Sequence, residues 1–380
     1  IHVTGPDDRG GLQLWSHVQR VLVVDLASGN LRDRCYARLF SRGIRPRRST
    51  QPTPNRTVAM TNPFELPGTW MKAALHTHST VSDGSLPPDQ LVEAYVQAGF
   101  DVVAITDHWR LAQPASRDDV ITIPAAELGF DLTNPRYPRQ SAEFLVYGID
   151  HIPDDPGGDP ANWYFNSEDN YEVRTFPTLD DGCAWAAGQE AVVYVAHPYW
   201  NQMPISELVA MSGFAGIEIF NGSAETECGR GDSSPWWDTL LGEGRQTFGI
   251  ATDDQHYPLF DLGLAWTMLR VVDRSPSAVV DALRTGAAYC SEGPMIHEIQ
   301  EVPGGVEVAC SGARSVRVQT EQEYGMSVSI GRSGRRQGRI LATDDNGLIT
   351  RAFVEGGNDR RYRRIVVVDT QGRRAWSNPL

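Results

Sequence analysis

An α/β fold with a smaller β-rich region at its carboxyl end is the architecture this sequence predicts. Three observations predict it. Short apolar runs of strand type alternate with amphipathic helical segments through the central part of the chain. Successive strand-type runs end in histidine or carboxylate residues, as expected when parallel strands deliver a site at their carboxyl ends. From Ile296 onward the helical period disappears, leaving β-type runs separated by Gly, Asp and Asn turns.

Residues 1–59 hold ten arginines against four acids and show no sustained period. The stretch RGIRPRRSTQPTPNRT is basic and rich in Pro and Thr, which is linker or disordered composition, with weak local structure expected in LQLWSHVQRVLVVDL. A basic arm contacting nucleic acid or an anionic membrane is one reading. The plainer reading, which we favour, is a poorly ordered extension upstream of Met60. Residues 60–295 are expected to form the α/β unit. LPPDQLVEAYVQAG has Pro in its first turn, apolar residues at Leu91, Val92, Tyr95 and Val96, and a stop at Gly99. DDGCAWAAGQE, PISELVAMSG, SSPWWDTLLGEG and SPSAVVDALRTG supply further helices. The segment from Asn134 to Phe176 is long for a connector, and such loops on an active face often shape substrate access. Residues 296–380 read as a small β-sandwich-like domain, through IHEIQEV, GVEVAC, SVRVQT, MSVSIG, RAFVEG and RRIVVVDT.

Chemistry concentrates between Ala73 and Arg110. A short apolar run ends in His76-x-His78, Asp83 follows, a helix intervenes, and a second run ends in Asp107-His108. Two histidines two apart on a strand share one face and can grip one ion. A βαβ unit then brings His108 beside them, because both strands point the same way. Later runs end in Glu127 and His197, GIEIF carries Glu218, and TFGIATDDQH runs into Asp253, Asp254 and His256. Histidines buried in an ordinary core have no reason to gather at one end of successive strands. A metal site does.

These motifs resemble the PHP (polymerase and histidinol phosphatase) superfamily of metal-dependent hydrolases. HTHSTVSDG, AITDH, AAEL, VAHPYW and TDDQH match its ordered motifs between Thr69 and Pro294. The resemblance implies a distorted (β/α)7, TIM-like barrel holding two or three divalent ions, usually manganese, iron or zinc. Its ligands would be His76, His78, Asp83, His108, Glu127, His197, His256 and one of Asp253 or Asp254. The family's Asp-x-His ending selects Asp254, whereas an insertion would select Asp253, and both stay open. Where the family usually has another histidine, this chain has Glu143 at the start of EFLVYGIDH and His151 past its end. The TGAAYCSEGPMI join and the AWSNPL ending resemble the carbaryl-hydrolase-like branch.

Such ions lower the pKa of a bridging water and polarise an ester oxygen, so hydrolysis by hydroxide is expected without a protein nucleophile. Asp107 is expected to support a ligand, and whichever of Asp253 and Asp254 is not a ligand becomes a proton shuttle beside His256. Trp109, Tyr199, Trp200, Asn201 and Asn221 follow ligand-bearing strand ends and are candidates to line a substrate pocket. The expected substrate is a small ester, with a phosphorylated metabolite or nucleotide ahead of a carboxylic or carbamic ester; a non-catalytic metal-stabilised binding module is the remaining reading. The net charge of −14 argues against an electrostatic nucleic-acid binder. No apolar run reaches the roughly 20 residues that span a bilayer, and no signal-peptide core is visible. Five widely spaced cysteines without C-x-x-C fit free thiols in the cytoplasm. Lysine occurs only at Lys72 among 34 basic residues, which reflects codon bias rather than function.

Overall fold

The computed structural model describes residues 12–15, 21–24, 62–136, 140–166, 171–321, 325–331, 337–357 and 360–380. Contacts divide the chain into Ile1–Val58 and Ala59–Leu380. In the first unit, β1 (Leu12–Trp15) and β2 (Val21–Val24) pair antiparallel, with Leu12 opposite Val24. The rest of the expected basic extension lies outside the described residues.

The second unit opens with β3 (Thr69–Ala74), α1 (Pro88–Gln97), β4 (Val102–Val103) and β5 (Ile121–Thr122), then β6 (Ala125–Asp131) and β7 (Ser141–Tyr147). The long connector carries three short strands, β8 (Tyr164–Asn166), β9 (Tyr171–Val173) and β10 (Thr175–Phe176). After it come α2 (Leu179–Ala187), β11 (Val192–Val195), α3 (Ile205–Ala210), β12 (Gly216–Asn221), α4 (Gly222–Cys228) and α5 (Ser234–Gly242). The α/β part closes with β13 (Phe248–Thr252), α6 (Pro258–Asp261), β14 (Trp266–Val271), α7 (Pro276–Thr285) and β15 (Ala288–Ser291).

Local chemistry explains the helix ends. Pro88 stands in the first turn of α1, whose buried face is Leu91, Val92 and Tyr95. Thr178 caps α2 by accepting from the Asp181 N–H, and Ser275 caps α7 by accepting from the Ala278 N–H. Helix α7 stops at Gly286, whose φ of +67° is a left-handed conformation that a side chain resists.

The strands form a six-stranded sheet in the order β10-β6-β7-β11-β12-β13, and β5-β4-β3-β14-β15 belong to a nine-stranded sheet. Strands β3 and β4 are parallel, as the βαβ reading requires. The sheets are mixed, however. Strand β7 runs antiparallel to both β6 and β11, and β14 runs antiparallel to β3. Isolated parallel bridges, Thr77 to Gln255 and His108 to Glu127, join the two sheets just past the carboxyl ends of β3, β13 and β4. One buried cluster takes residues from both sheets, including Ala73, Val102, Leu145, Tyr194, Ile250 and Leu269. Each large aliphatic side chain buried there contributes about 1.5–3 kcal/mol, and together they form the floor beneath the site.

The remaining strands are β16 (Ile296–Val302), β17 (Gly305–Ala313), β18 (Ser315–Gln319), β19 (Gly325–Ser329), β20 (Gly338–Thr343), β21 (Ile349–Glu355), β22 (Arg364–Val368) and β23 (Arg374–Ser377). They do not respect a boundary at residue 295. The order β16-β17-β21-β20 makes a separate sheet, but β19-β18-β22-β23 continue the nine-stranded sheet through β15. Trp376 on β23 is buried with its ring 5.7 Å from that of Phe220 on β12. Pairing to β15 and this apolar contact draw the end of the chain into the α/β core. Among the described residues no helix is long and apolar enough to cross a membrane, and Cys183, Cys228, Cys290 and Cys310 are free thiols.

Candidate metal centre

Four groups of histidine and carboxylate side chains, each with ligand atoms within 4.8 Å of one another, share members at the carboxyl ends of the strands. They are His78, Asp83, His108 and His256; His76, His78 and Asp254; His76, Glu127 and His197; and His108, Glu127 and Glu143. His76 and His78 follow β3, His108 follows β4, His197 follows β11, and Asp254 and His256 follow β13, whereas Glu127 and Glu143 are each the third residue of β6 and β7; the run expected to end at Glu127 continues to Asp131. Because β7 is antiparallel to its neighbours, its first residues lie beside the last residues of β6 and β11. That places Glu143 in the cluster and leaves His151, at the far end of the strand, exposed.

His76 is held from both sides. With its proton on Nδ1 it donates to Glu218 Oε1 at 3.0 Å, while Nε2 faces Glu127 Oε2 at 3.1 Å and Asp254 Oδ1 at 3.2 Å. Nε2 of His78 lies 3.3 Å from Glu127 and 3.2 Å from Asp254. His197 Nε2 meets Glu127 Oε1 at 3.1 Å. Asp83 reaches His78, His108 and His256 at 3.3, 3.5 and 3.4 Å. The imidazoles of His78 and His256 stack with centroids 4.3 Å apart.

A second set of groups holds these side chains. Glu218 is fully buried and also accepts from the His197 N–H at 2.8 Å, from Asn221 Nδ2 at 3.0 Å and from the Thr252 hydroxyl. Asp107 accepts from the Ser79 N–H at 2.8 Å, from the Ser79 hydroxyl at 2.6 Å and from the Ser82 hydroxyl at 2.7 Å. It therefore pins the loop between His78 and Asp83, the supporting placement expected of it. The roles of Glu218 and Asn221 in this scaffold were not legible in the sequence, where Glu218 reads only as one more acid near a strand end. Backbone strain gathers here as well. His197, Asp254 and Trp109 have positive φ values of 22°, 55° and 53°, a conformation that costs a non-glycine residue about 1–3 kcal/mol and collects at functional sites.

The charges are strongly coupled. Burial opposes the charge on His197, but its hydrogen bond to Glu127 and the surrounding carboxylates lift its pKa to about 9. Burial likewise works against His76 and His78, and neighbouring carboxylates, Asp254 prominent among them, hold both well above their ordinary value. Burial would raise Asp83, yet His256 and His78 keep it well below the usual carboxylate range. Glu143 is pushed up to about 8, first by burial and then by the charge of Glu127. Burial lowers His108.

The donor set fits divalent cations. Nε2 of His78 and Oδ1 of Asp254 are buried, face each other at 3.2 Å, and make no hydrogen bond among the described residues. Buried polar atoms left this way are costly unless something else satisfies them, and imidazole with carboxylate is a set that manganese, iron and zinc accept.

Several expected positions lie elsewhere. Asp253 is taken up by the Tyr95 hydroxyl at 2.9 Å and by the N–H groups of Gly263 and Ala265 at 2.7 and 2.8 Å. The reading of Asp253 as ligand or proton shuttle is thus corrected: it anchors the segment after His256, and Asp254 faces the histidines. Asn221 spends its capacity inside the scaffold, donating to Glu218 and to Asp254 Oδ2 at 3.0 Å and capping α4 at the Ala224 N–H. The Trp109 ring is largely buried and stacks on Phe176 at 5.7 Å, and the residue also lines a cavity with Arg110, Ile152 and Glu172. Tyr199 packs on Trp236 at 5.1 Å. Asn201 keeps a buried Nδ2 without a partner among the described residues, and Trp200 stands edge-on to His197 at 5.0 Å while remaining partly exposed.

No family model matches the chain. An error-prone DNA polymerase from Nocardia farcinica is 38% identical over 84 residues, which is 20% of this chain and 7% of the polymerase. A two-domain protein from Bacteroides vulgatus, described as containing a predicted PHP-like metal-dependent phosphoesterase, aligns over 82% of this chain and 96% of its own, with 14% identity and a TM-score of 0.44. The chain is similar to PHP-like proteins. An amidohydrolase from Chromobacterium violaceum aligns over 50% of this chain and 89% of its own, at 16% identity and a TM-score of 0.34. The chain spans about 7% of the polymerase's length.

Proposed function

We propose that this protein is a PHP-type metal-dependent hydrolase whose distorted (β/α)7 barrel holds a di- or trinuclear centre. The observation that carries this reading is the set of four overlapping His/carboxylate groups, in which His76, His78, His108 and Glu127 each belong to two. Ligands shared in this way suit adjacent ions. His76, His78 and Asp254 would hold one, and Asp83, His108 and His256 another, with Glu127 and Glu143, which His108 and His197 adjoin, supplying further oxygen donors. Bound there, divalent ions of the manganese, iron or zinc class would polarise an ester and activate water for direct attack.

The chain's own residues orient and support. Glu218 and Asp107 hold the ligands in place, and His256 lies one-quarter exposed at the rim, 3.4 Å from Asp83. Asn201 and Trp200 are the groups best placed to touch a small substrate. A phosphoesterase acting on a small phosphorylated metabolite or nucleotide is the favoured activity. Hydrolysis of a carboxylic or carbamic ester is the second reading, supported by apolar groups near His256 and His197. Leu259 and Phe260 on α6 are 94% and 74% exposed, and Tyr257 and Trp200 are also exposed. The resemblance of the carboxyl end to the carbaryl-hydrolase-like branch points the same way.

Assay of the metal-loaded protein against nitrophenyl phosphates, carboxylates and carbamates, with manganese, iron and zinc in turn, tests both readings. Turnover of phosphates alone is expected. Preferential turnover of carboxyl esters would select the second reading, and a protein that binds metal yet hydrolyses neither class would overturn both.

A further inference from the structure

We propose that Glu143 is itself a metal ligand and that it makes the centre chemically asymmetric, with an oxygen-rich position selective for a hard ion of the manganese class. The proposal rests on the metal-dependent reading above and concerns which ion sits where.

Strand pairing supplies the placement. Glu127 lies opposite Leu145, and Gly129 lies opposite Glu143, in the antiparallel pair of β6 and β7. Residues two apart on a strand share a face, so Glu127 and Glu143 are diagonal neighbours on one side of the sheet. Leu145 and Tyr147 on that side of β7 enter the buried core, and Glu143 lies beyond them at the end where the histidines gather. The Glu143 carbonyl accepts from the Ala196 N–H at 3.0 Å, which ties this residue to the segment bearing His197.

The carboxylate stands 3.9 Å from His108 Nδ1 and 3.9 Å from His197 Nε2. Neither distance is a hydrogen bond. Donors that share one ion at about 2.0–2.2 Å are themselves about 3–4 Å apart; His108 Nδ1 lies 3.5 Å from Glu127 and 3.9 Å from Glu143, and one ligand atom from each of the three falls within 4.8 Å of the others. Two carboxylates held close together in a largely buried setting repel each other unless one keeps its proton or a cation lies between them, and a divalent ion would take the place of that proton.

Donor chemistry then separates the two ends. The group of His78, Asp83, His108 and His256 offers three imidazoles to one carboxylate, whereas His108, Glu127 and Glu143 offer two carboxylates to one imidazole. Carboxylate-rich sets suit manganese or magnesium, and imidazole-rich sets suit zinc.

The test uses the full chain, stripped by chelation and titrated with Mn2+ followed by electron paramagnetic resonance, and with Zn2+ followed by elemental analysis after dialysis. Wild-type protein is expected to hold Mn2+ at one position while Zn2+ fills another. Glu143→Gln should weaken one Mn2+ position by at least the roughly 10–100-fold that follows loss of a mere supporting partner, leaving the zinc position unchanged. Glu143→His should restore occupancy but exchange the manganese preference for zinc. Circular dichroism on both variants separates a ligand effect from misfolding, since the histidine variant keeps a donor in place. Wild-type Mn2+ affinity and stoichiometry in Glu143→Gln would overturn the proposal while leaving the hydrolase reading intact. An unaltered manganese preference in Glu143→His would overturn the selectivity. Wild-type protein that binds no divalent ion would overturn the metal-dependent reading, and this proposal with it.

Discussion

Glu218 Oε1 lies 3.0 Å from Nδ1 of His76, and that contact decides which nitrogen of the imidazole is left for a cation. With the proton held on Nδ1, Nε2 points at Glu127 and Asp254. A buried carboxylate behind a ligand histidine fixes its tautomer and raises its basicity.

Glu218→Gln should therefore cost metal affinity without removing a ligand. A loss of about 10–100-fold is expected, read by competition with a chelating dye. Affinity unchanged from wild type would show that Glu218 serves packing alone.

Replacing both His76 and His78 by Ala should remove at least one ion and abolish hydrolysis, because both imidazoles face Glu127 and Asp254. Elemental analysis of the purified variant is the check. Full metal stoichiometry would refute the site.

Adjacent aspartates should differ in their effect on metal content. Asp253→Asn leaves donors from Tyr95, Gly263 and Ala265 poorly matched, at a cost of about 1–3 kcal/mol in stability, with metal content unchanged. Asp254→Asn should lower metal content and also weaken the stripped protein, because its carboxylate faces the imidazoles of His76 and His78. Metal analyses distinguish the pair, denaturant titrations check the stabilities, and the reverse pattern of metal content would exchange their roles.

The metal-free protein should lose stability as pH rises from about 6.5 to 9. Against the effect of burial, carboxylates led by Glu127 lift His197 to about 9. A base raised in the folded state contributes stability that is fully present below its unfolded value, near 6.5, and is lost as pH rises through the folded one. Glu143, raised to about 8 by burial and by Glu127, acts in the same direction, since the folded chain keeps a proton that the unfolded chain has released. Urea midpoints in a chelating buffer at pH 6.5 and 9 should fall accordingly. Calorimetry at pH 7 in buffers of different ionisation enthalpy should show protons released when metal binds.

A chain ending at residue 295 should not fold as an independent barrel. It would expose the edge of β15, leave Phe220 without Trp376 and remove the buried Arg364 that pairs with Asp238 at 2.7 Å. Loss of a cooperative thermal transition is expected. A native-like midpoint in the truncated chain would establish separable domains instead.

Much of the site was legible in the sequence because its signals are local. His76-x-His78 declares two imidazoles that face one carboxylate, although both lie just past β3 rather than on it; Pro88 and Gly99 bracket α1, and the period changes from helical to alternating near Ile296. Other features depend on partners remote in sequence. Nothing in SAEFLVY states that β7 runs against both neighbours, yet that direction brings Glu143 into the cluster and sends His151 away. Asp253 and Asp254 are indistinguishable as letters. The positive φ at Asp254 and the donors offered by Tyr95, Gly263 and Ala265 separate them. Asn221 sits where a pocket wall would be expected, but hydrogen bonds to Glu218 and Asp254 occupy it. The sequence alone determined residue type and local period, and hence the elements and their candidate ligands. Tertiary structure alone decided strand direction and side-chain partners, because both are set by hydrogen bonds and apolar contacts between segments far apart along the chain.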